Sequence, residues 1–439
     1  RRTQMPLFAP ETEWVAPEEL KDLSGCKEVA IDLETNDPEL MTLGSGNVIG
    51  RGHIAGVAVA VEGWKGYYPI GHEGGGNMDR KLVLQWVQDL VNQEKTTFIF
   101  HNAMYDVCWL RQAGIKIRGK IVDTMIAASL IDENRMSYAL NTLAKFYVGI
   151  GKDEKVLQEA AKSYSVNPKS EMYKLPAMYV GEYAERDAEA TLKLWQRLST
   201  ELVNQELMDV FNLETKLFPC LVDMRFKGVR VDLEHAAKLK KNLIVRENKI
   251  LSKIKDLTGI HVEIHAARSI AKAFDKLNLP YDRTEKSNEP SFTKNFLQNH
   301  PHELARSIAD AREINKAHTT FIDSITKHSA KGRIHADINQ IRSDQGGTVT
   351  GRFSMSNPNL QQIPARHPEI GPMIRSIFIP EENTKWGTFD YSQQEPRILV
   401  HYAKLQNLDG VDEIVNAYNE GDADFHQVVA DMAGIERKQ

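Results

Sequence analysis

Thr388-Phe389-Asp390-Tyr391-Ser392-Gln393-Gln394-Glu395-Pro396-Arg397-Ile398 sets the terms on which the rest of the chain is read. Its apolar start has the character of a strand and ends in an aspartate. A helix-like segment follows with a carboxylate and a guanidinium on it, an order in which a strand can deliver an acid to a pocket at its carboxyl end. Alone, an Asp-Tyr-Ser run is better read as a strand capped by an Asx turn.

Upstream stands Thr350-Gly351-Arg352-Phe353-Ser354-Met355-Ser356-Asn357-Pro358-Asn359-Leu360-Gln361-Gln362-Ile363-Pro364. Taken alone this is a turn-rich connector, since Asn-Pro-Asn favours turns. Together the two runs resemble the palm motifs of family A DNA polymerases, the DNA polymerase I class, and the resemblance extends over nearly the whole chain. The commoner family form of the later motif is Asp-Tyr-Ser-Gln-Ile-Glu-Leu-Arg. This chain keeps Asp390, Glu395 and Arg397 but has Gln394 for the isoleucine and Pro396 for the leucine, a form associated with phage-type members. Proline at 396 is tolerable in the first turn of the following helix, where its missing N–H costs little.

The 439 residues allow two or three domains, and 41% hydrophobic with 26% charged residues is the composition of a globular protein. No apolar run approaches the roughly 20 residues of a membrane span, and Arg1 to Pro10 has no signal-peptide core, so a cytoplasmic protein without membrane contact is expected. Cys26, Cys108 and Cys220 are odd in number and widely spaced, which suggests buried thiols rather than disulfides or a zinc site. A net charge of -5 excludes a uniformly basic nucleic-acid binder and leaves room for a local basic groove beside metal-binding carboxylates. The chain starts without methionine and stops inside a helix-like segment, as a portion of a longer protein would.

Residues 1–22 read as an N-terminal extension. In Val29-Ala30-Ile31-Asp32-Leu33-Glu34-Thr35, two carboxylates two residues apart leave one face of a strand and repel each other unless a cation lies between them. Thr97-Phe98-Ile99-Phe100-His101-Asn102 reads as a second strand, followed by a helix holding Asp106. Further on, Tyr183 and Asp187 stand four apart on one helical face. These segments resemble the three motifs of the DEDD exonucleases in their tyrosine variant. The resemblance implies a 3′-5′ proofreading exonuclease domain over residues 23–205, a mixed sheet flanked by helices of the ribonuclease H-like α/β class. In it Asp32, Glu34, Asp106 and Asp187 would hold two Mg²⁺ ions, with Mn²⁺ able to substitute, and Tyr183 would orient the attacking water at a single-stranded 3′ end. Hard carboxylate oxygens suit such a pair of ions, which activates water on one side of a phosphodiester and neutralises the leaving oxygen on the other.

Asp123, after Ile121-Val122, reads more simply as a helix N-cap than as a support for the metal site. Gly71-His72-Glu73-Gly74-Gly75-Gly76-Asn77 lacks the Lys-Ser/Thr of a phosphate-binding loop and reads as a flexible connection. Lys152 to Lys174 reads as a partly irregular insertion along a route for single-stranded DNA.

The remainder, 206–439, resembles an α+β right-hand polymerase domain in part: thumb at about 236–330, palm at about 331–420 and the start of the fingers at about 421–439. Residues 236–255 form a helix candidate with Leu239, Leu243, Ile250 and Ile254 on one side. Lys238, Lys240, Lys241, Arg246, Lys249, Lys253 and Lys255 surround it against the single acid Glu247, either as a solvated face or as a contact to duplex backbone. By resemblance Arg312 and Lys316 lie against the primer-template backbone, and Arg352, Asn359, Gln361 and Gln362 make polar contacts to the minor groove. A guanidinium there can reach acceptors present at every correctly paired base pair, so it tests pair geometry without reading sequence. Asp390 would be one metal-binding catalytic aspartate, again with two Mg²⁺ per site, and Arg397 a DNA contact. Tyr391, Glu395, His426 of Asp422-Ala423-Asp424-Phe425-His426, and Arg437 would meet the incoming deoxyribonucleoside triphosphate. The His-Asp palm hairpin with the second catalytic aspartate is not among these residues, which would leave the exonuclease site complete and the polymerase site incomplete.

The whole reading is a template-directed DNA polymerase with proofreading, monomeric and open to accessory replication factors, in a prokaryotic or phage-infected cell. A stand-alone exonuclease whose second half only grips nucleic acid leaves 350–364 and 390–397 unexplained. A non-catalytic scaffold leaves the four carboxylates unexplained.

Overall fold

The computed structural model describes residues 9–151, 153–344, 346–421 and 424–436. The described residues up to Ile379 form one compact unit and those from Pro380 onward a second.

The first unit begins with β1 (Glu28–Asn36), the short helix α1 (Leu40–Leu43), β2 (His53–Val61), β3 (Trp64–Pro69), α2 (Arg80–Val91), β4 (Thr97–Phe100), α3 (Ala103–Gln112), β5 (Lys120–Asp123), α4 (Thr124–Ile131), α5 (Leu140–Val148), α6 (Lys155–Tyr164) and the 24-residue α7 (Gly181–Asn204). The strands form one mixed sheet in the order β3-β2-β1-β4-β5, with β1–β2 and β2–β3 antiparallel and β4 and β5 parallel to β1. The expected helix-flanked mixed sheet is therefore present.

The two faces of the sheet differ by strand alternation. One carries Val29, Ile31, Leu33, Val57 and Val59 against Val83 and Val87 of α2 and Val107 and Trp109 of α3. The other carries Ala30, Ala58 and Ala60 beneath Ala184, Ala188 and Leu192 of α7. Small residues on both sides let a long helix lie close to the sheet. Asp32 and Glu34 continue the Ala30 face, so the period-two pattern that buries alanines also aims two carboxylates at α7.

α8 (Met208–Lys227) leads out of this region, yet its Phe218 and Val222 join the core formed with α2 and α3. That shared core explains why the 23–205 and later segments pack as one unit. Then come β6 (Val229–Arg230), α9 (Leu233–Thr258), α10 (Ala267–Lys276), β7 (Asp282–Arg283), β8 (Pro290–Ser291), α11 (Lys294–Asn299) and α12 (Glu303–Lys316). A π-helical turn, Ala317–Ile322, joins α12 to α13 (Asp323–His328). Short strands β9 (Ser329–Ala330) and β10 (Arg333–Ile334) pair with β6 in the order β6-β10-β9, β11 (Asp337–Asn339) pairs with β12 (Ser354–Ser356), and α14 (Ile370–Arg375) closes the unit.

The second unit holds α15 (Gln394–Leu405), α16 (Val411–Glu420) and α17 (Phe425–Ala433) around Val400, Val411 and Tyr418. Residues 384–390 form no regular element, so the strand expected before Asp390 does not form there. Phe389 is 98% exposed, and among the described residues of its unit there is no strand to supply ladder hydrogen bonds. Pro396 does fall in the first turn of its helix, as expected.

Candidate active site

Asp32 and Glu34 leave β1 on the alanine-lined face, just before a register irregularity between Glu34 and Thr35. β4 pairs with β1 only over Glu28–Ala30. Past that point Leu33 N donates to Asp106 Oδ1 at 3.0 Å, which brings the first turn of α3 to the strand end. Asp106 is 4% exposed. Tyr183 and Asp187 project from α7, and the tyrosine hydroxyl is hydrogen-bonded to Asp187.

Asp106 is buried and Asp32, Glu34 and Asp187 are partly buried, and the carboxylates repel one another. Burial, then Asp187 and Asp106, push Glu34 up to about 8, and Asp32 and Asp106 are also held well above the ordinary carboxylate range by burial and by their neighbours. The Tyr183 hydroxyl is pushed up by burial and by Asp187, Glu34 and Asp32, so it is a neutral donor and not a base. Among the described residues no three His, Cys, Asp or Glu groups are gathered into a ready metal shell. The set is a cluster of mutually repelling hard oxygen donors, a chemistry that suits divalent cations.

Asp123 does more than the expected cap. It caps α4 through Met125 N (2.8 Å) and also accepts from Asn102 N (3.0 Å) and Ala103 N (2.8 Å) at the start of α3. One carboxylate thus anchors the first turns of two helices, one of which carries Asp106. The Gly71–Asn77 run is also more constrained than its composition suggested. His72 and Asn77 exchange backbone and side-chain hydrogen bonds at 2.7 Å, Glu73 N reaches Tyr173 O (2.9 Å), and Ala177 N reaches Gly75 O (3.0 Å). An added Cβ on Gly74 would lie 2.2 Å from Pro176 N, so glycine serves close backbone approach here, not flexibility. Lys152 lies outside the described residues, and the segment beyond it is more regular than expected, because α6 buries Leu157, Ala160 and Ala161.

In the thumb-like part, α9 matches the expected helix and buries Leu243 and Ile254. Its acid Glu247 is buried too, bonded to Asn315 Nδ2 (2.9 Å) and His318 Nε2. Three of its basic residues are paired: Lys240 with Asp323, Arg246 with Glu369 and Lys253 with Glu303. Lys238, Lys241, Lys249 and Lys255 are exposed.

Several residues expected at DNA also bond within their own unit. Arg312 donates Nε to Ile264 O (2.5 Å) and Nη1 to Phe292 O (2.8 Å), bracing the tip of this region. Gln361 folds the Thr350–Pro364 run on itself, donating to Phe353 O (3.0 Å) and accepting from Met355 N (3.2 Å), and Asn359 accepts from Gln361 N (3.1 Å). Arg397 donates to Ser392 O (2.9 Å) and stacks its guanidinium 4.6 Å from the Tyr418 ring. Lys316 stays exposed with its ammonium 5.7 Å from the Phe321 ring, and Arg352 and Gln362 are exposed. In the second unit Asp390 and Tyr391 are exposed, and Glu395 and His426 line one cleft with Pro396, Leu399, Phe425 and Val429. Asp422, Ala423 and Arg437 lie outside the described residues. Of the cysteines only Cys108 is buried, and Cys220 is exposed, contrary to expectation, on α8.

Sequence reasoning passed over Tyr67 and His72, whose hydroxyl and Nε2 meet at 2.6 Å beside this cluster. It also passed over Arg225, whose buried guanidinium bonds Asp337 Oδ1 (2.6 Å) and Ala336 O (3.3 Å). Buried arginine is rare unless paired, but nothing local in the sequence distinguishes it from a surface one.

Residues 233–438 match the family model of DNA polymerase family A, and residues 10–203 that of the 3′-5′ exonuclease. A DNA-directed DNA polymerase of Pseudomonas phage M6 is 37% identical over 99% of this chain and 69% of its own length. DNA polymerase DpoZ of Salmonella phage PMBT28 is 32% identical over 94% of this chain and 67% of its own length. Among solved structures, the POL domain of Pol1 from M. smegmatis, in complex with DNA primer-template and dNTP, superposes with a TM-score of 0.67 at 21% identity, covering 95% of this chain and 65% of that one. That likeness is one of fold. The chain spans about two thirds of the length of these relatives.

Proposed function

Because this chain belongs to the family A DNA polymerases and carries their 3′-5′ exonuclease domain, we propose that residues 23–205 remove nucleotides from a single-stranded DNA 3′ end while residues 206–439 contribute the thumb and part of the palm and fingers to template-directed synthesis. One observation carries the exonuclease half: four carboxylates from β1, α3 and α7 converge in a partly buried site where each raises the proton affinity of another. Such a cluster is costly as a structural feature and useful as a cation site.

Asp32, Glu34, Asp106 and Asp187 are the residues that would hold divalent ions, Mg²⁺ with Mn²⁺ as a substitute. When bound, these ions supply the positive charge that makes water nucleophilic and the 3′ oxygen a leaving group. The chain's own contribution is positional. Leu33 N and Asp106 fix the strand end against α3. Tyr183, kept neutral, donates to Asp187 and presents its oxygen to a water at the scissile phosphate.

In the polymerase half, Asp390 is the metal-binding carboxylate, Lys316, Arg352 and Gln362 face primer-template, and Tyr391, Glu395, His426 and Arg437 meet the triphosphate. Arg312, Asn359, Gln361 and Arg397 add DNA contacts from segments that their side chains also brace. The setting proposed is the cytoplasm of a prokaryotic or phage-infected cell. No helix among the described residues is long and apolar enough to cross a membrane.

The test is the double change Asp32→Ala with Glu34→Ala. It should abolish metal-dependent 3′ to 5′ degradation of single-stranded DNA with the far-UV circular dichroism unchanged. Degradation at an undiminished rate would overturn the assignment.

A further inference from the structure

Tyr67 lies on β3, the edge strand beyond β2, and is wholly buried. The sheet register pairs Asp32 with Ala58 and Ala58 with Tyr67, so all three side chains leave the same face. One pair along, Glu34 stands opposite Gly56. The tyrosine ring leans across into that place: a Cβ built on Gly56 would lie 2.0 Å from the Tyr67 hydroxyl oxygen and 2.1 Å from Cζ. Glycine at 56 therefore makes room for a hydroxyl directly beside Glu34. Cβ positions of residues paired across a sheet are about 4.5–5.5 Å apart, which sets the scale of the approach.

The polarity of that hydroxyl follows from its partners. His72 Nδ1 is 3.0 Å from the carbonyl oxygen of Leu175, which can only accept, so Nδ1 carries the hydrogen and Nε2 carries the lone pair. The Tyr67 hydroxyl, 2.6 Å from Nε2, must then donate to it. Burial holds His72 down at about 4, so the ring is neutral and this arrangement persists through the neutral range. With its hydrogen turned to His72, the hydroxyl presents lone pairs to the carboxylate side. The backbone end of Tyr67 is held too, because its N–H donates to Glu185 Oε1 (3.1 Å), which also accepts from Trp14 Nε1 (2.9 Å). Glu185 lies on α7 between Tyr183 and Asp187.

We propose that Tyr67 and His72 are a positioning pair of the exonuclease site: a neutral oxygen, its hydrogen committed to His72, fixed against Glu34 so that its dipole strengthens the binding of a divalent cation by the carboxylates. The inference rests on the exonuclease reading above and adds a support on the strand side of the site, opposite the one supplied by α7. Partners of this kind, one step behind metal ligands, typically change affinity or activity 10- to 100-fold, roughly, when removed. A tyrosine that only filled space would lose nothing as phenylalanine except a satisfied hydrogen bond.

The experiment uses the full chain, Mn²⁺ as the probe in titration calorimetry, and degradation of single-stranded DNA as a second readout. Tyr67→Phe should weaken Mn²⁺ binding about tenfold or more and lower kcat comparably, with KM for DNA unchanged. His72→Leu should reproduce the loss, and Tyr67→Phe with His72→Leu should be no worse than either alone, because one hydrogen bond is lost in all three. His72→Gln, whose side-chain oxygen can accept from the hydroxyl, should recover most of the affinity. Wild-type Mn²⁺ affinity in Tyr67→Phe would overturn the proposal, as would additive losses in the double variant. If Tyr67→Phe does not fold, the contrast between His72→Leu and His72→Gln decides, and equal affinities in those two would overturn it. Asp32→Ala with Glu34→Ala separates the two readings. Mn²⁺ binding and degradation that survive in it sink the exonuclease reading, whereas their loss there beside an unaffected Tyr67→Phe sinks this inference alone.

Discussion

Asp106 Oδ1 accepts a 3.0 Å hydrogen bond from the backbone N–H of Leu33, the residue between Asp32 and Glu34. A helix is thereby registered against a strand at the one point where two carboxylates flank the contact. The bond favours the charged form of Asp106, while burial and Asp32 oppose it more strongly. The site is assembled at the expense of electrostatic repulsion that a cation can relieve.

Asp106→Asn separates these effects, since the amide oxygen can still accept from Leu33 while the charge is gone. Degradation of single-stranded DNA should fall by about 10²–10³-fold, the size expected when one preorganised electrostatic group is lost. Because burial and Asp32 disfavour the charged wild-type carboxylate, the metal-free variant should melt at a higher temperature than the wild type, and the difference should widen as pH rises. Mg²⁺ at a hundredfold excess over Kd should add about 2.7 kcal/mol to the wild type and far less to the variant. A variant that melts lower in the absence of metal would contradict the repulsion argument.

Asp123 accepts from three backbone N–H groups at the starts of α3 and α4. Asp123→Ala leaves these donors buried and removes a cap, each worth about 1 kcal/mol or more, so urea unfolding should show a loss of about 2–4 kcal/mol. Activity should fall with it, because α3 carries Asp106. Asp123→Asn, which keeps an acceptor, should lie between.

His101 is held down at about 4 by burial, with Nε2 2.9 Å from Tyr138 O and Nδ1 2.8 Å from Thr124 Oγ1. Its folded pKa lies below the unfolded value near 6.5, so its contribution is fully present above pH 6.5 and is lost as pH falls from 6.5 toward 4. The loss is at most about 3 kcal/mol, from some 2.5 units at 1.36 kcal/mol each. The raised carboxylates change stability in the opposite sense over the same range, so the comparison must be differential. The stability advantage of wild type over His101→Gln should shrink between pH 7 and pH 4.5. A constant difference would show that His101 takes up no proton on unfolding.

Arg225 is 3% exposed, and its ion pair with Asp337 joins α8 to β11, with Asn357 Nδ2 on the other carboxylate oxygen at 2.9 Å. Asp337→Ala should cost about 3–5 kcal/mol, because it strands a buried guanidinium. Arg225→Met with Asp337→Leu should cost much less than the sum of the single changes, as read from urea midpoints.

The sequence disclosed the parts of the site whose geometry is local. Asp32 and Glu34 follow from a period of two, and Tyr183 and Asp187 from one helical turn. That the alanines at 30, 58 and 60 share one sheet face beneath α7 emerges only from the strand pairing. What could not be read were the destinations of long polar side chains. Arg312, Gln361 and Arg397 each meet a carbonyl or ring within their own unit, partners that the motifs holding them do not disclose. The Tyr67–His72 pair was hidden for the same reason, since its sense depends on Leu175 more than a hundred residues away. Glycine misled in the 71–77 run, because composition does not distinguish close approach from freedom.

The thumb-like helix α9 gives the final test, because pairing divides its basic residues into two groups. Lys240, Arg246 and Lys253 are engaged by Asp323, Glu369 and Glu303, whereas Lys238, Lys241 and Lys249 are exposed at spacings of three and eight residues, close to whole turns of one helical face. If that face lies along a duplex, each exposed lysine replaces a condensed counterion and contributes about 0.9 to the slope of log K against log salt. Changing all three to glutamine should weaken primer-template binding and reduce the slope by about 2.7, without sequence preference. Arg246→Gln and Lys253→Gln should alter the slope much less, since those charges are already neutralised by partners. Fluorescence anisotropy across a salt series measures both quantities. An unchanged slope in the triple variant would assign α9 to solvent and leave the duplex to be held elsewhere.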